Sequence, residues 1–438
     1  MVFKKKTLIL ISAVFLLSGC GKEKLVIDGT RIPVLDRPEE ISADYAKGDI
    51  KIALPRPQLN RGWLQSAGNS RHNLGHIAGA DEMKEVWAKS FGEGNSKRDY
   101  LIAAPIIAEN TVFAIDAQAK VSAFRQENGE IIWSTKLKPQ IRDDKSVAMK
   151  GAGLAYENGR IFVTTGFGGI FALDAKSGEI IWKYYDHAPF RIAPTVGGGK
   201  VFVQTIENVL IALNQYNGTE IWRYASANED TVLVGGAAPA FDAAQDILIA
   251  AFSSGEIRAI KASTGSPLWG DYLIAGYRNN MISEINAIRT DPVIDNDVIY
   301  AAGNNITVAI DLRSGLRLWE REFGSNNRLW AAGKVLYMIS EISHLLAIDT
   351  ESGKIIWDTK IPAGEDISDA VGVTYAGPVL INNRLLVATS TGYLFYISPY
   401  NGEIMGFLDI SEGTSIPVVA ANGQVIVTTS EAKLSAYQ

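Results

Sequence analysis

From Pro105 onward the chain alternates short apolar runs with polar turns. Pro105-Ile-Ile-Ala-Glu-Asn-Thr-Val-Phe-Ala-Ile-Asp can be laid over Pro194-Thr-Val-Gly-Gly-Gly-Lys-Val-Phe-Val-Gln-Thr. The same grammar returns at Pro292-Val-Ile-Asp-Asn-Asp-Val-Ile-Tyr-Ala-Ala-Gly and Pro378-Val-Leu-Ile-Asn-Asn-Arg-Leu-Leu-Val-Ala-Thr. Each segment predicts a short strand, a tight polar turn and a second strand rich in Val, Ile and aromatics. A third strand follows, as in Gly169-Ile-Phe-Ala-Leu-Asp174 or Leu345-Leu-Ala-Ile-Asp349. Next comes a turn closed by Gly, as in Asp174-Ala-Lys-Ser-Gly178, Asp311-Leu-Arg-Ser-Gly315 and Asp349-Thr-Glu-Ser-Gly353, where glycine accepts a positive φ. A fourth strand then carries a Trp.

That Gly and Trp, four residues apart, are the clearest repeat. They recur as Gly129/Trp133, Gly178/Trp182, Gly218/Trp222, Gly265/Trp269, Gly315/Trp319 and Gly353/Trp357, with the tryptophans 49, 40, 47, 50 and 38 residues apart. A seventh copy, Gly402-Glu-Ile-Met-Gly406-Phe407, has lost the Trp. Four antiparallel strands at this period, with no comparable helical pattern between them, predict a β-propeller. Seven full units run from Pro105 to about Ile410, and an eighth begins at Pro417 and reaches Tyr437 without a fourth strand. Met83-Lys-Glu-Val-Trp87-Ala-Lys-Ser-Phe91 has the texture of that missing strand. The expected fold is therefore all-β, an eight-bladed ring of four-stranded antiparallel blades over residues 61–438, its last blade closed by the N-terminal strand. A Trp at the same place in every unit is best read as packing between blades, because a site breaks such symmetry. Trp63 and Trp330 lie outside the series and are the better candidates for a local role.

The N-terminus has a different texture. Lys4, Lys5 and Lys6 precede an uncharged run from Thr7 to Ser18, too short to span a bilayer and typical of a secretory signal over residues 1–19. Its ending, Leu17-Ser-Gly-Cys20, resembles the lipobox of bacterial lipoproteins, which implies lipidation of Cys20 and anchoring to a membrane without spanning it. Gly21 after the Cys, by resemblance to enteric lipoproteins, favours the outer membrane, with the mature chain facing the periplasm. Residues 20–60, with Pro33, Pro38, Pro55 and Pro57, are expected to be the lipidated terminus and an extended tether.

Composition narrows the function. With 47% hydrophobic and 21% charged residues the chain can bury a large core. Its one Cys excludes an intrachain disulfide or a Cys-based metal cage. The net charge is −6, and the 42 Lys and Arg less the three in the signal leave 39 against 48 acids, a net −9 that argues against nucleic acid as a partner. His72 and His76 have the spacing of helical metal ligands but sit in a Gly- and Asn-rich loop with no third ligand nearby; His187 and His344 are isolated. The glycine runs at Gly166–Gly169 and Gly197–Gly199 fall in expected hairpin turns with no helix to follow, so they do not cradle phosphate. No cofactor site, metal site or catalytic residue emerges.

The Ala-x-Asp-x-x-x-Gly-x-x-x-Trp pattern at Ala172 to Trp182, Ala309 to Trp319 and Ala347 to Trp357 resembles the PQQ-type propeller repeat. Two groups share that repeat, the quinoprotein dehydrogenases and the BamB lipoproteins of the outer-membrane β-barrel assembly (BAM) machinery. A lipobox followed by an eight-bladed ring is similar to the organisation of the BamB family, and Ile32-Pro-Val-Leu-Asp36 and Trp63-Leu-Gln-Ser-Ala-Gly-Asn69 resemble its alphaproteobacterial members. The resemblance implies a non-enzymatic scaffold that binds the POTRA domains of BamA, joins other BAM components and helps present unfolded outer-membrane proteins, its direct contact with those substrates being left open. It also implies two contact loops. Thr231-Val-Leu-Val-Gly-Gly-Ala-Ala-Pro239 resembles the loop that offers Leu and Arg, with Thr231 and Leu233 in the Leu places and Val234 where the Arg stands. Ser283-Glu-Ile-Asn286 resembles the acidic loop, with Glu284 and Asn286 in the places of its two Asp. The alternative readings are a PQQ-dependent dehydrogenase, which lacks here the adjacent Cys pair of that group, and a polysaccharide-binding propeller.

Overall fold

A computed structural model describes residues 41–97, 99–140, 152–226, 236–273, 288–364 and 372–438. Eight four-stranded antiparallel sheets account for its regular structure. The first blade is Ile106–Ala108, Thr111–Ile115, Lys120–Arg125 and Ile131–Lys136. Blades 2 to 7 span residues 152–185, 195–225, 240–272, 293–321, 330–360 and 375–409. Blade 8 consists of Val419–Ala421, Gln424–Thr428 and Lys433–Tyr437, and its fourth strand is Glu85–Ser90, which pairs antiparallel with Lys433–Tyr437. The N-terminal strand thus completes the last blade, as the sequence predicts. First strands of neighbouring blades touch one another and form the inner circle, whereas fourth strands such as Ile131–Lys136 and Ile404–Asp409 carry no fully buried side chain and lie at the rim.

The repeat motif has a physical account at every position. Opposite each Trp on the third strand stands the motif Ala: Ala123 faces Trp133, Ala172 faces Trp182, Ala212 faces Trp222, and Ala259, Ala309 and Ala347 face Trp269, Trp319 and Trp357. The methyl is small enough for an aromatic of the second strand to reach over it. Phe113, Phe162, Phe202, Tyr300 and Tyr337 meet the Trp of their own blade at ring centroid distances of 5.9–6.0 Å. Such pairs contribute about 0.5–1.5 kcal/mol beyond burial.

The same Trp also docks the next blade. A Cβ on Gly178 would lie 2.5 Å from the Trp133 ring of the preceding blade, and the equivalent distances at Gly129, Gly218, Gly265, Gly315, Gly353 and Gly402 are 2.6–2.7 Å. These glycines have φ between +69° and +76°, the left-handed turn that brings the backbone flat against the indole. The indole Nε1–H then donates to the carbonyl three residues before the Gly, as Trp87 does to Gln126, Trp133 to Ala175 and Trp357 to Pro399, at 2.8–3.2 Å across all seven seams. Blade 7 meets a neighbour whose fourth strand is Glu85–Ser90, so no turn links the third and fourth strands there and no Gly can receive an indole. Phe407 in the Trp place packs within its own blade instead, edge-on against Tyr393 and Phe395.

The segment from Gln58 to Arg71, continuing to Ala80, runs once around the inner circle and touches every blade in turn. Asn60 donates to Ala420 of blade 8, Trp63 exchanges backbone hydrogen bonds with Ile107 of blade 1, and Tyr156 N–H of blade 2 donates to Leu64. Gln65 pairs with Val196 of blade 3, and Phe241 N–H of blade 4 and Ile294 N–H of blade 5 donate to Ser70 and Arg71. Trp330 Nε1–H of blade 6 donates to Gly75, and Ile77 pairs with Leu380 and Asn382 of blade 7. The part of the expected tether that the structure describes, residues 41–60, is also packed on the ring. Asp44 bonds both backbone groups of Ile355 and pairs with Arg321 at 3.0 Å, and Ile52 and Leu54 lie on the core.

Candidate functional site

The clasp formed by residues 58–80 closes the ring axis on one side. On the other side of Gln65 and Ser66 lies a cavity of about 300 Å³ lined by residues from all eight blades. Most of its walls come from the residues just ahead of each first strand, where fourth strands hand over to the next blade. Three of its lining residues are arginines, Arg191, Arg289 and Arg328, and one is a carboxylate, Asp291.

Asp291 is already engaged. Its Oδ2 accepts from Ser66 Oγ at 2.5 Å and its Oδ1 from the Ala238 N–H at 2.6 Å, which ties the clasp to blades 4 and 5. Arg328 lies with its guanidinium 5.3 Å over the Trp63 ring, and Trp63 stacks on Trp330 at 6.0 Å. Burial pushes the Arg328 pKa down to about 10 despite the attraction of Asp291. Trp63 and Trp330, singled out as lying outside the repeat, are therefore buried packing partners of each other and of Arg328 rather than exposed platforms.

The two histidines of the clasp are held by backbone. His72 is buried, its Nδ1 2.9 Å from the Pro292 carbonyl, and His76 contacts the carbonyls of Pro55 and Asn382. Burial lowers the pKa of both. Their i, i+4 spacing reflects two separate wall contacts, and among the described residues no group of three or more His, Cys, Asp or Glu converges on one point. The glycine runs lie in hairpin turns, between Arg160–Thr165 and Gly169–Asp174 and between Thr195–Gly197 and Lys200–Gln204. The quinone chemistry of dehydrogenases that carry a similar repeat does not fit: the chain has no Cys pair and the axial cavity offers one carboxylate, already engaged by the clasp. Exposed aromatics among the described residues are Tyr100 ahead of blade 1, Tyr216 on blade 3, Tyr272 on blade 4, and Tyr400 and Phe407 on blade 7.

Cys20 and the expected contact residues Thr231, Leu233, Val234, Glu284 and Asn286 lie outside the described residues. In the chain, Gly236 of the cavity wall belongs to the first of those loops and Arg289 follows closely on the second. The arginines were legible as a pattern that sequence reading passed over. Arg191 and Arg289 each stand three residues before the repeat Pro, at Pro194 and Pro292, in the place held by Ile102 in blade 1 and Gly236 in blade 4.

The family described as "Outer membrane protein assembly factor BamB" matches residues 117–359. Proteins of that name from Salmonella typhimurium (strain LT2) and Escherichia coli (strain K12) are 32% and 31% identical over 353 residues, which covers 79% of this chain and 86% of each of them. Among solved structures, BamB from Moraxella catarrhalis superposes with a TM-score of 0.68 at 18% identity, over 81% of this chain and 99% of the other. The quinohemoprotein alcohol dehydrogenase from Comamonas testosteroni gives 0.67 at 14% identity over 86% and 80%, a likeness of fold.

Proposed function

The chain belongs to the BamB family of outer-membrane protein assembly factors, and from that premise we propose that it is a non-catalytic scaffold of the BAM complex, held at the outer membrane by lipid on Cys20 and facing the periplasm. The observation that carries the reading is the match to BamB relatives across the propeller, 353 residues at up to 32% identity. The docking motif supports it: the repeated Gly, Ala and Trp serve ring closure, and the chemistry that recurs along the chain is packing chemistry. No helix among the described residues is long and apolar enough to cross a membrane. Lipid on Cys20 would then supply the anchor, several acyl chains holding far more firmly than one.

Within the complex, BamA is the proposed partner, reached through its POTRA domains by the loops carrying Thr231, Leu233 and Val234 and carrying Glu284 and Asn286. Apolar contact through Leu233 would dominate, because truncation of a buried apolar anchor costs more than loss of a rim charge. Unfolded outer-membrane proteins are the proposed clients. The test is a detergent pull-down from native membranes, with partners identified by mass spectrometry. BamA is expected with the wild type and is expected to fall at least tenfold with Leu233→Asp combined with Glu284→Lys. Undiminished recovery of BamA by the variant overturns the loop assignment; absence of all BAM components from the wild-type pull-down overturns the scaffold.

A further inference from the structure

We propose that the axial cavity is a binding site for a compact oxyanion, a phosphate or a small polycarboxylate, held by Arg191, Arg289 and Arg328. This goes beyond the scaffold role and does not depend on it. The full chain carries a net −6, yet the cavity gathers three guanidinium groups against one carboxylate. Like charges converging in a concave wall repel one another and focus a positive potential into the space between them. Stacking of Arg328 on Trp63 engages the face of one guanidinium and leaves its in-plane donors for an anion.

Asp291 does not neutralise the cluster by direct contact. Both of its oxygens accept from other donors, Ser66 Oγ and the Ala238 N–H. Among the described residues neither Arg289 nor Arg328 forms an ion pair. Arg328 Nη1 is shielded from solvent and has no acceptor among them. A buried guanidinium N–H without an acceptor is costly, and the five donors of a guanidinium suit the paired oxygens of phosphate or carboxylate. Arg289, by contrast, is exposed at the mouth and can meet an incoming anion.

Shape completes the case. Gln65 and Ser66 line the cavity on the clasp side, and about 300 Å³ holds a phosphate or a citrate but not a folded domain. The wall is shared by all eight blades, which makes the ligand a bond between blades as well as a guest.

The test is thermal unfolding and calorimetric titration of the full mature protein with inorganic phosphate and, separately, with citrate, at constant ionic strength set by chloride. A ligand specific for the folded state must raise Tm with its concentration. Expected is a saturable rise with at least one of the two oxyanions; phosphate alone identifies a phosphate site, citrate alone a carboxylate site. In Arg289→Gln, whose exposed side chain is not needed for the fold, the apparent Kd is expected to rise about tenfold, and in Arg289→Gln/Arg328→Gln the saturable response is expected to vanish. No saturable shift with either anion, an equal shift with added chloride, or an unchanged Kd in the folded Arg289→Gln variant would each overturn the proposal.

Discussion

At the scale of single residues, the fold is decided by what a side chain must leave out. Gly178 has φ +73° and the Trp133 ring occupies the place of its missing Cβ at 2.5 Å. Gly159 has φ +75° and nothing within 4 Å of that place. The pair separates backbone strain from packing. Alanine at 159 incurs only the left-handed conformation, about 1–2 kcal/mol. Alanine at 178 incurs the same strain and also forces the indole away from its seam, adding about 1–3 kcal/mol for overpacking. Urea unfolding of Gly159→Ala and Gly178→Ala is therefore expected to lower the midpoint in both, with the larger loss at 178. Equal losses would show that the indole yields freely and that the glycine is there for its φ alone. The motif Asp reports the same turn: the Ser177 and Lys176 N–H groups donate to Asp174 and hold its carboxyl below the usual range.

At the scale of elements, the fourth strand of each blade is a connector whose value depends on the turn that receives it. Trp87 on Glu85–Ser90 is 7% exposed, stands against Gly129 and donates to Gln126, so one side chain fastens blade 8 to blade 1. Phe407 at the blade 7 seam is 41% exposed and has no such turn to enter. Trp87→Ala is expected to cost about 3–5 kcal/mol, the range for a buried large aromatic, and Phe407→Ala about 1 kcal/mol or less. Thermal melts of the two variants give the ranking, and a Phe407→Ala loss equal to that of Trp87→Ala would sink the account of the absent tryptophan. These elements were legible because the repeat prints them seven times: period and turn glycine recur in all seven copies and Trp in six, and the unmatched strand at Trp87 is visible as an orphan of the same texture. The clasp was not legible for the opposite reason. Asn60, Gln65, Arg71 and His76 each meet a different blade through irregular backbone bonds, and one-off contacts leave no period to read. Residues 41–60 looked like a tether on the same grounds, since prolines and scattered acids carry no sign that Asp44 caps Ile355.

At the scale of the whole molecule, the clasp changes what the ring is. A propeller held only by neighbouring seams would lose stability locally, blade by blade, as repeat arrays do. A segment bonded to all eight blades makes each seam answer to the others, and its two buried histidines make that bond depend on pH. Burial holds His72 below the ordinary 6.5, opposed by Asp291 and the Pro292 carbonyl and assisted by Arg328, and burial lowers His76 against the Pro55 carbonyl. The unfolded chain therefore binds protons near pH 6.5 that the folded chain refuses. Their contribution is full above that pH and is lost as pH falls from about 6.5 toward the lowered folded values. Partial desolvation shifts Glu157, Asp295 and Glu341 upward, and they act in the opposite sense, so the total slope mixes the two, and the difference between wild type and variant isolates the histidine. Melts between pH 7.5 and 5.5 are expected to show a falling Tm for the wild type and a shallower fall for His72→Gln, which cannot take up the proton. Because the clasp spans the ring, fluorescence of the seam tryptophans and far-UV circular dichroism are expected to shift together in the acid-weakened wild type. Parallel slopes in the two proteins would remove His72 from the account, and tryptophan signals that change ahead of the sheet signal would show that the seams open without the clasp.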